Sequence, residues 1–129
     1  MKNVVITGST RGLGFEMAKK FLELGCNVTI SGSKPESFDN AKEKLNGFSD
    51  KYIYITCNVR SKAGIRNLWQ KSVDKWGSVD IWINNAGQNC PRESLWNTPD
   101  DYIDAVVDTN IKGVMYGSKI AAEYMLKQG

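Results

Sequence analysis

The sequence contains no histidine, only three cysteines, only three prolines and no long apolar run. Without an imidazole, hydrolysis by a Ser-His-Asp or Cys-His arrangement is excluded. Cys26, Cys57 and Cys90 are far apart and form no C-x-x-C pair, so neither a disulfide framework nor a metal site is expected. We expect free thiols in a reducing compartment and predict a cytoplasmic location.

Membrane and nucleic-acid signals are also absent. No segment reaches the roughly 20 apolar residues of a membrane helix, and the first predicted strand leaves no room for a signal peptide. The net charge of +3 comes with scattered lysines rather than a basic run. We therefore predict a single domain over residues 1–129 with no membrane or nucleic-acid partner.

Predicted strands and helices alternate along the chain. Apolar runs predict strands at residues 2–7, 27–31, 51–57 and 79–84, and helical periodicity predicts helices at 12–24, 35–45 and 61–76. A last helical region starts at residue 98 or 99 and runs almost to the end, with a bend or break near Asn110. This order predicts an α/β fold, a doubly wound parallel sheet with right-handed crossovers.

Three glycines spaced G-x-x-x-G-x-G lie between the first strand and its helix. Gly8 allows a sharp turn out of the strand, Gly12 allows the backbone to approach a pyrophosphate, and Gly14 allows tight packing of helix on strand. The N-terminus of the helix then directs unpaired N–H groups at an anion. The segment therefore predicts a phosphate cradle for a nucleotide.

A second motif, Asn84-Asn85-Ala86-Gly87, follows the fourth strand. The asparagines can bond exposed sheet backbone, and the two small residues leave room for a flat ring. Ligands of open α/β sheets bind at this edge. Taken in isolation, the motif is equally explained as an Asn-Gly turn.

Together these residues resemble the short-chain dehydrogenase/reductase family. T-G-x-x-x-G-x-G at residues 7–14, N-N-A-G at 84–87 and Asn110 occur in the family's order and with similar spacing. The sequence is most similar to members that reduce carbonyls with NADPH, such as 3-oxoacyl-acyl-carrier-protein reductases. The resemblance implies a Rossmann-type sheet, ended here after the fourth strand and the following long helix, and hydride transfer between a nicotinamide and a carbonyl or alcohol.

The resemblance also implies where the cofactor lies. Its phosphate and adenosine-ribose side matches Gly8, Ser9, Thr10, Arg11, Gly12, Leu13 and Gly14, its adenine side matches Asn58 and Val59, and its nicotinamide-ribose side matches Asn85, Ala86 and Gly87. Asn110 matches the asparagine of the family's catalytic tetrad, which holds a water in the proton relay.

The end of the second strand distinguishes NADP from NAD. An acid there would accept hydrogen bonds from the ribose 2′-OH and repel a 2′-phosphate. This sequence has Ser33 and Lys34 instead, and Arg11 can reach the same place. We predict NADP(H); the alternative is that Arg11 and Lys34 are solvated surface charges.

The family's catalytic serine and Tyr-x-x-x-Lys have no match in these 129 residues. We therefore expect that the chain alone does not catalyse hydride transfer. Two other functions stay open at this point: a non-catalytic module that binds a nucleotide or a partner, and a self-associating fragment that binds nothing.

The last helix and the fourth strand favour self-association into a homo-oligomer. The strand would be an edge with unpaired backbone groups, and Tyr116, Ile120 and Tyr124 form one apolar stripe of the helix. A second stripe includes Ile111, Val114, Met115, Ser118, Ala121, Ala122 and Met125. The alternative is that both stripes pack within one core.

Overall fold

A parallel sheet organises the chain, whose computed structural model describes all 129 residues. Its strands are β1 (Asn3–Ile6), β2 (Asn27–Gly32), β3 (Tyr52–Thr56) and β4 (Ile81–Ile83), in the order β3-β2-β1-β4. All three pairings are parallel. The predicted doubly wound α/β sheet is confirmed, and β4 is an edge strand as expected.

Helices cover both faces of this sheet. The longer ones are α1 (Gly12–Glu23), α3 (Lys62–Trp76) and α5 (Gly113–Gln128). On one face, Val4, Ile6, Val28 and Ile30 pack with α1 and with the segment after β2. On the other face, Val5 packs with residues of α3 and α5. Successive β1 side chains thus enter opposite layers, as the two-residue repeat of a strand requires.

The predicted helix over residues 35–45 is wrong as a continuous element. The chain instead forms a 3₁₀ turn (Pro35–Phe38), a single α turn named α2 (Asp39–Lys42) and a second 3₁₀ segment (Glu43–Phe48). Leu45 leaves helical geometry at φ −113° and ψ 19°. Asn46 and Gly47 follow, and both are poor helix formers, so the segment has little intrinsic tendency to continue.

The last helical region changes its winding where the sequence predicted a bend. After α4 (Asp100–Val106), residues Val107–Lys112 form a π-helical turn that contains Asn110, and α5 follows without a gap. A π turn admits one extra residue and is a common source of local bending. The expected irregularity near Asn110 is confirmed.

The stripe Tyr116, Ile120 and Tyr124 does not form a free surface, which corrects the expectation that it mediates self-association. Ile120 is 1% exposed in the core beneath α3. The Tyr124 ring stacks on Trp69 of α3, with the two ring centres 5.2 Å apart. α3 therefore covers this stripe within the same chain, and Ala121 and Met125 of the second stripe pack in the same core, whereas Ile111, Val114 and Met115 are exposed.

The end of α5 is tied to the start of the edge strand. The Gln128 side-chain amide donates to the Val79 carbonyl at 3.0 Å and accepts from the Val79 N–H at 3.1 Å. Val79 is fully buried. None of the helices combines the length and the apolar character needed to cross a membrane.

Candidate functional site

The largest concavity is an open cleft of about 1290 Å³ at the carboxyl ends of the strands. β1 leads to β2 on one side of the sheet, whereas β4 joins on the other side of β1. α1, which follows β1, and α5, which follows β4, pack on opposite faces of the sheet, so a crevice opens between the connections that lead to them, which is where open α/β sheets bind ligands. Residues following all four strands line it.

The glycine turn forms the floor of the cleft. Gly8 has φ +61°, and a Cβ on it would lie 2.7 Å from the Ala86 Cα, so the segments after β1 and β4 touch there. Gly12 has φ +58° and opens α1. Arg11 holds the N-cap position without a side-chain capping bond, which leaves the first N–H groups of α1 available to an anion.

Thr7 and Asn85 fasten the two sides of the crevice together. The Thr7 hydroxyl accepts the N–H groups of Asn85 and Ala86, each at 3.0 Å. The Asn85 side-chain amide donates to the carbonyls of Thr7 (3.2 Å) and Gly8 (2.9 Å). Both residues thereby shape the crevice through backbone contacts, and the Asn85 side-chain nitrogen is already engaged without a ligand.

Ser9 lies behind the cleft wall rather than on it. The residue is fully buried; its hydroxyl donates to the Ile6 carbonyl at 2.7 Å and accepts the Ser31 N–H at 2.9 Å. Ser9 therefore joins the glycine turn to β2. Because its side chain is buried, Ser9 does not line the cleft, and the place beside the cofactor that the resemblance implies for it stays a prediction.

The charges of the cleft favour an anion. Three cationic side chains line it, Arg11, Lys34 and Arg60, against one carboxylate, Glu36. Arg60 is paired with Asp108 at 3.3 Å. Neither Arg11 nor Lys34 forms an ion pair, so both are available to a bound anionic group.

Residues after β3, which lies at the other edge of the sheet from β4, also line the cleft. Asn58 accepts the Arg60 N–H through its side-chain oxygen at 3.0 Å, which forms a tight turn, and Val59 packs against Gly113 of α5. Cys57 also lines the cleft, and burial raises the pKa of its thiol to about 11. The thiol stays protonated at neutral pH and is a poor nucleophile there.

Asn110 anchors the loop after Gly87. Its side-chain oxygen accepts the Gln88 N–H at 2.7 Å, and its side-chain nitrogen donates to the Gln88 carbonyl at 2.8 Å. One side chain of the π-helical turn thus holds the backbone of the loop at Gln88. Each polar atom of that side chain makes one bond to Gln88, which leaves one acceptor and one donor position of the amide for a water.

Of the residues predicted for the cofactor, twelve line the cleft and two, Ser9 and Gly14, do not. A Cβ on Gly14 would collide with the Asn85 side chain and the Gly8 carbonyl, so Gly14 is needed for packing below the floor. Asn110 lies next to the cleft lining rather than in it. The sequence reasoning missed nine lining residues: Gly32, Glu36, Ser37, Asn40, Cys57, Arg60, Gln88, Asn89 and Thr109.

The parallel sheet, the reversal of strand order at β1 and the glycine turn that opens α1 define a Rossmann-type α/β fold. A family model described as short chain dehydrogenase matches residues 2–129. The chain belongs to the short-chain dehydrogenase family.

Known proteins similar to this chain include enzymes of several kinds. The chloroplastic chlorophyll(ide) b reductase NOL of Oryza sativa subsp. japonica is 37% identical over 129 residues, which are 98% of this chain and 38% of that protein. The structure of ElxO with NADP bound has a TM-score of 0.88 and 27% identity, and the match covers 98% of this chain and 51% of that one. A 3-ketoacyl-(acyl-carrier-protein) reductase from Brucella melitensis, complexed with NADH, has a TM-score of 0.82 and 25% identity, with 92% and 47% covered.

The chain spans about half the length of these proteins or less. One of the two structures holds NADP and the other NADH, so the likeness alone does not select a cofactor. Because the rice relative is chloroplastic, the cytoplasmic location stays a prediction.

Proposed function

We propose that this chain is the cofactor-binding part of an NADP(H)-dependent oxidoreductase that transfers hydride between the nicotinamide and a carbonyl or alcohol. The diphosphate would lie against the glycine turn and the N-terminus of α1, with Asn58 and Val59 toward the adenine and Ala86 and Gly87 toward the nicotinamide ribose. When bound, the cofactor would donate the hydride in its reduced form and accept it in its oxidised form. The chain's own residues bind and orient it.

The proposed preference for NADP(H) rests on Arg11 and Lys34, the two cationic side chains of the cleft that form no ion pair. Arg11 and Lys34 approach one cleft from the glycine turn and from the end of β2, and Ser33 beside them supplies a hydroxyl. A ribose 2′-phosphate would receive charge-assisted hydrogen bonds there. Glu36 supports the competing choice of NAD(H), because a carboxylate can accept from a ribose 2′-OH.

A fluorescence titration with NADPH and NADH tests the proposal. We expect NADPH to bind more tightly, and Arg11→Gln to weaken NADPH by about ten-fold or more with little effect on NADH. Glu36→Gln is the matched variant: under our proposal it leaves NADH affinity unchanged or improves NADPH. Equal affinities of the wild-type chain, or a selective loss of NADH in Glu36→Gln, would contradict NADP(H).

We also propose that these 129 residues do not catalyse hydride transfer by themselves. They contain no Tyr-x-x-x-Lys to move the proton, and the neutral amide of Asn110, which is bonded to Gln88, cannot take that role. NADPH consumption with ketones above an enzyme-free control would overturn this part of the proposal.

We propose self-association through an α4–α5 apolar face, defined by the exposed side chains Tyr102, Ile103, Val107, Ile111, Val114 and Met115. The spacing from Ile103 through Val107 and Ile111 to Val114 is three or four residues, with Tyr102 and Met115 beside the two ends, so these residues share one side of the helical region. A continuous exposed apolar face of this kind is typical of a protein interface, and a second copy of the chain would cover it.

A further inference from the structure

The turn that carries Ser33 and Lys34 is held from the neighbouring strand. The Tyr54 hydroxyl on β3 donates a hydrogen bond to the Lys34 carbonyl. The same carbonyl accepts the Ser37 N–H at 3.2 Å, which begins the following 3₁₀ turn. One peptide oxygen thus receives two donors, one from within the turn and one from across the sheet.

The phenol is itself fixed in place. Tyr54 pairs with Ile30 in the register of β2 and β3. Its ring stacks on Phe38, with the ring centres 4.9 Å apart and the planes 5° from parallel, and Phe38 is 7% exposed in the core. Phe38 ends the 3₁₀ turn that follows Lys34. The buried Phe38 ring therefore positions both the Tyr54 phenol and the turn whose carbonyl the phenol binds.

Gly32 shows how closely these groups approach. A Cβ on Gly32 would lie 2.8 Å from the Tyr54 hydroxyl and 2.8 Å from the Thr10 methyl. The end of β2 is therefore enclosed by the phenol on one side and the glycine turn on the other. Burial is the main cause of a raised pKa for Tyr54, opposed by nearby hydroxyls of Thr56 and Ser37, so the phenol remains a donor at neutral pH.

The direction of the Lys34 carbonyl is determined by the backbone angle ψ of Lys34, so a hydrogen bond to this carbonyl restricts that angle. Pro35 follows and restricts Lys34 to extended backbone, which is observed at φ −136° and ψ 153°. Within that broad region the phenol selects one orientation of the peptide plane. That orientation sets the directions in which the Ser33 and Lys34 side chains leave the backbone toward the cleft.

We propose that Tyr54 is a positioning residue for nucleotide specificity: by holding the Lys34 carbonyl, its hydroxyl aims Ser33 and Lys34 at the group that distinguishes a 2′-phosphorylated nucleotide from an unphosphorylated one. This inference rests on the proposed preference for NADP(H). Tyr54 itself touches neither cofactor nor substrate in this scheme.

Tyr54→Phe tests the inference because it keeps the ring stack and removes only the hydroxyl. We expect the Kd for NADPH to rise about three-fold to ten-fold and the Kd for NADH to change by less than about two-fold. Tyr52→Phe is the control: Tyr52 also contacts the Phe38 ring, at 5.5 Å between centres, but its hydroxyl bonds nothing in the Ser33–Lys34 turn. Tyr52→Phe should leave both constants unchanged.

The ratio of the two constants separates positioning from support of the fold. If Tyr54→Phe weakens both nucleotides equally, or lowers thermal stability without changing the ratio, the hydroxyl has only a structural role and the inference is overturned. If the wild-type chain prefers NADPH and Tyr54→Phe keeps that preference in full, this inference fails alone. If the wild-type chain shows no preference, the proposed cofactor and this inference fail together.

Discussion

At the scale of single residues, the crevice exists because two positions admit no side chain. Gly8 has a left-handed φ and lies against the Ala86 backbone, whereas Gly14 is packed against Asn85 and the Gly8 carbonyl. Gly12 differs, since a Cβ there would meet nothing within 4 Å and only its φ of +58° requires glycine. The motif thus combines a steric requirement with a conformational one.

Alanine substitutions distinguish these two requirements. We expect Gly12→Ala to lower the free energy of unfolding by about 1–2 kcal/mol, the cost of a left-handed residue. Gly8→Ala should cost about 1–3 kcal/mol more, because the new methyl group also overlaps the Ala86 backbone. Urea denaturation of both variants measures the difference.

Gly47→Ala is the control for this comparison. A Cβ on Gly47 meets nothing within 4 Å and its backbone is not left-handed, so its free energy of unfolding should stay the same or rise slightly. Equal losses in Gly8→Ala and Gly12→Ala would show that the approach to Ala86 is less tight than the geometry indicates.

At the scale of elements, the sequence is sufficient where the signal is local. α3 was predicted from its apolar spacing, and in the structure the Ser61 hydroxyl accepts the Gly64 N–H at 3.0 Å as a capping residue should. The four strands were found for a similar reason, since each is a short apolar run. The segment after β2 was predicted wrongly because Phe38, Ala41 and Leu45 show helical spacing, and spacing does not report where the backbone leaves the helix.

The candidate site is less predictable because its interactions join distant parts of the chain. The Thr7 hydroxyl binds N–H groups 78 and 79 residues away, and Ser9 holds β2 22 residues away. Asn85 and Ser9 were identified as cofactor contacts by their motifs, but a motif cannot show whether a polar atom faces the ligand or the neighbouring backbone. Tyr54 belongs to no motif, and only the sheet register brings it to Lys34.

At the scale of the whole molecule, the two stripes of the last helix have separate uses. α3 covers Ile120 and Tyr124, whereas the α4–α5 apolar face remains outside, with Met115 66% and Ile111 54% exposed. Both stripes were visible in the sequence, but the second one divides: Ala121 and Met125 pack in the core, and Ile111, Val114 and Met115 belong to the exposed face. Which residues of each stripe are covered depends on the rotation of α5 against α3, and this is a tertiary property.

Light scattering by the chain at tens of micromolar tests self-association through the α4–α5 apolar face. We expect the chain to have a mass above that of a monomer, and Met115→Lys to return it toward the monomer, because a buried lysine in the interface is costly. Leu24→Lys is the control, since Leu24 is 67% exposed at the end of α1 and lies outside the face. A wild-type monomer, or equal dissociation by both variants, would contradict self-association through this face.

The bond between Gln128 and Val79 has a consequence for anything that extends the sheet. The Ile83 carbonyl accepts the Thr7 N–H at 3.0 Å, so Ile83 and, by the two-residue repeat of a strand, Ile81 turn their N–H and C=O groups toward β1, whereas Trp82 turns its groups toward the open border. Gln128 already takes both groups of Val79. A strand that extends the sheet can therefore form its first ladder bonds only at Trp82, and a single glutamine at the tip of a helix limits how the added strand can align.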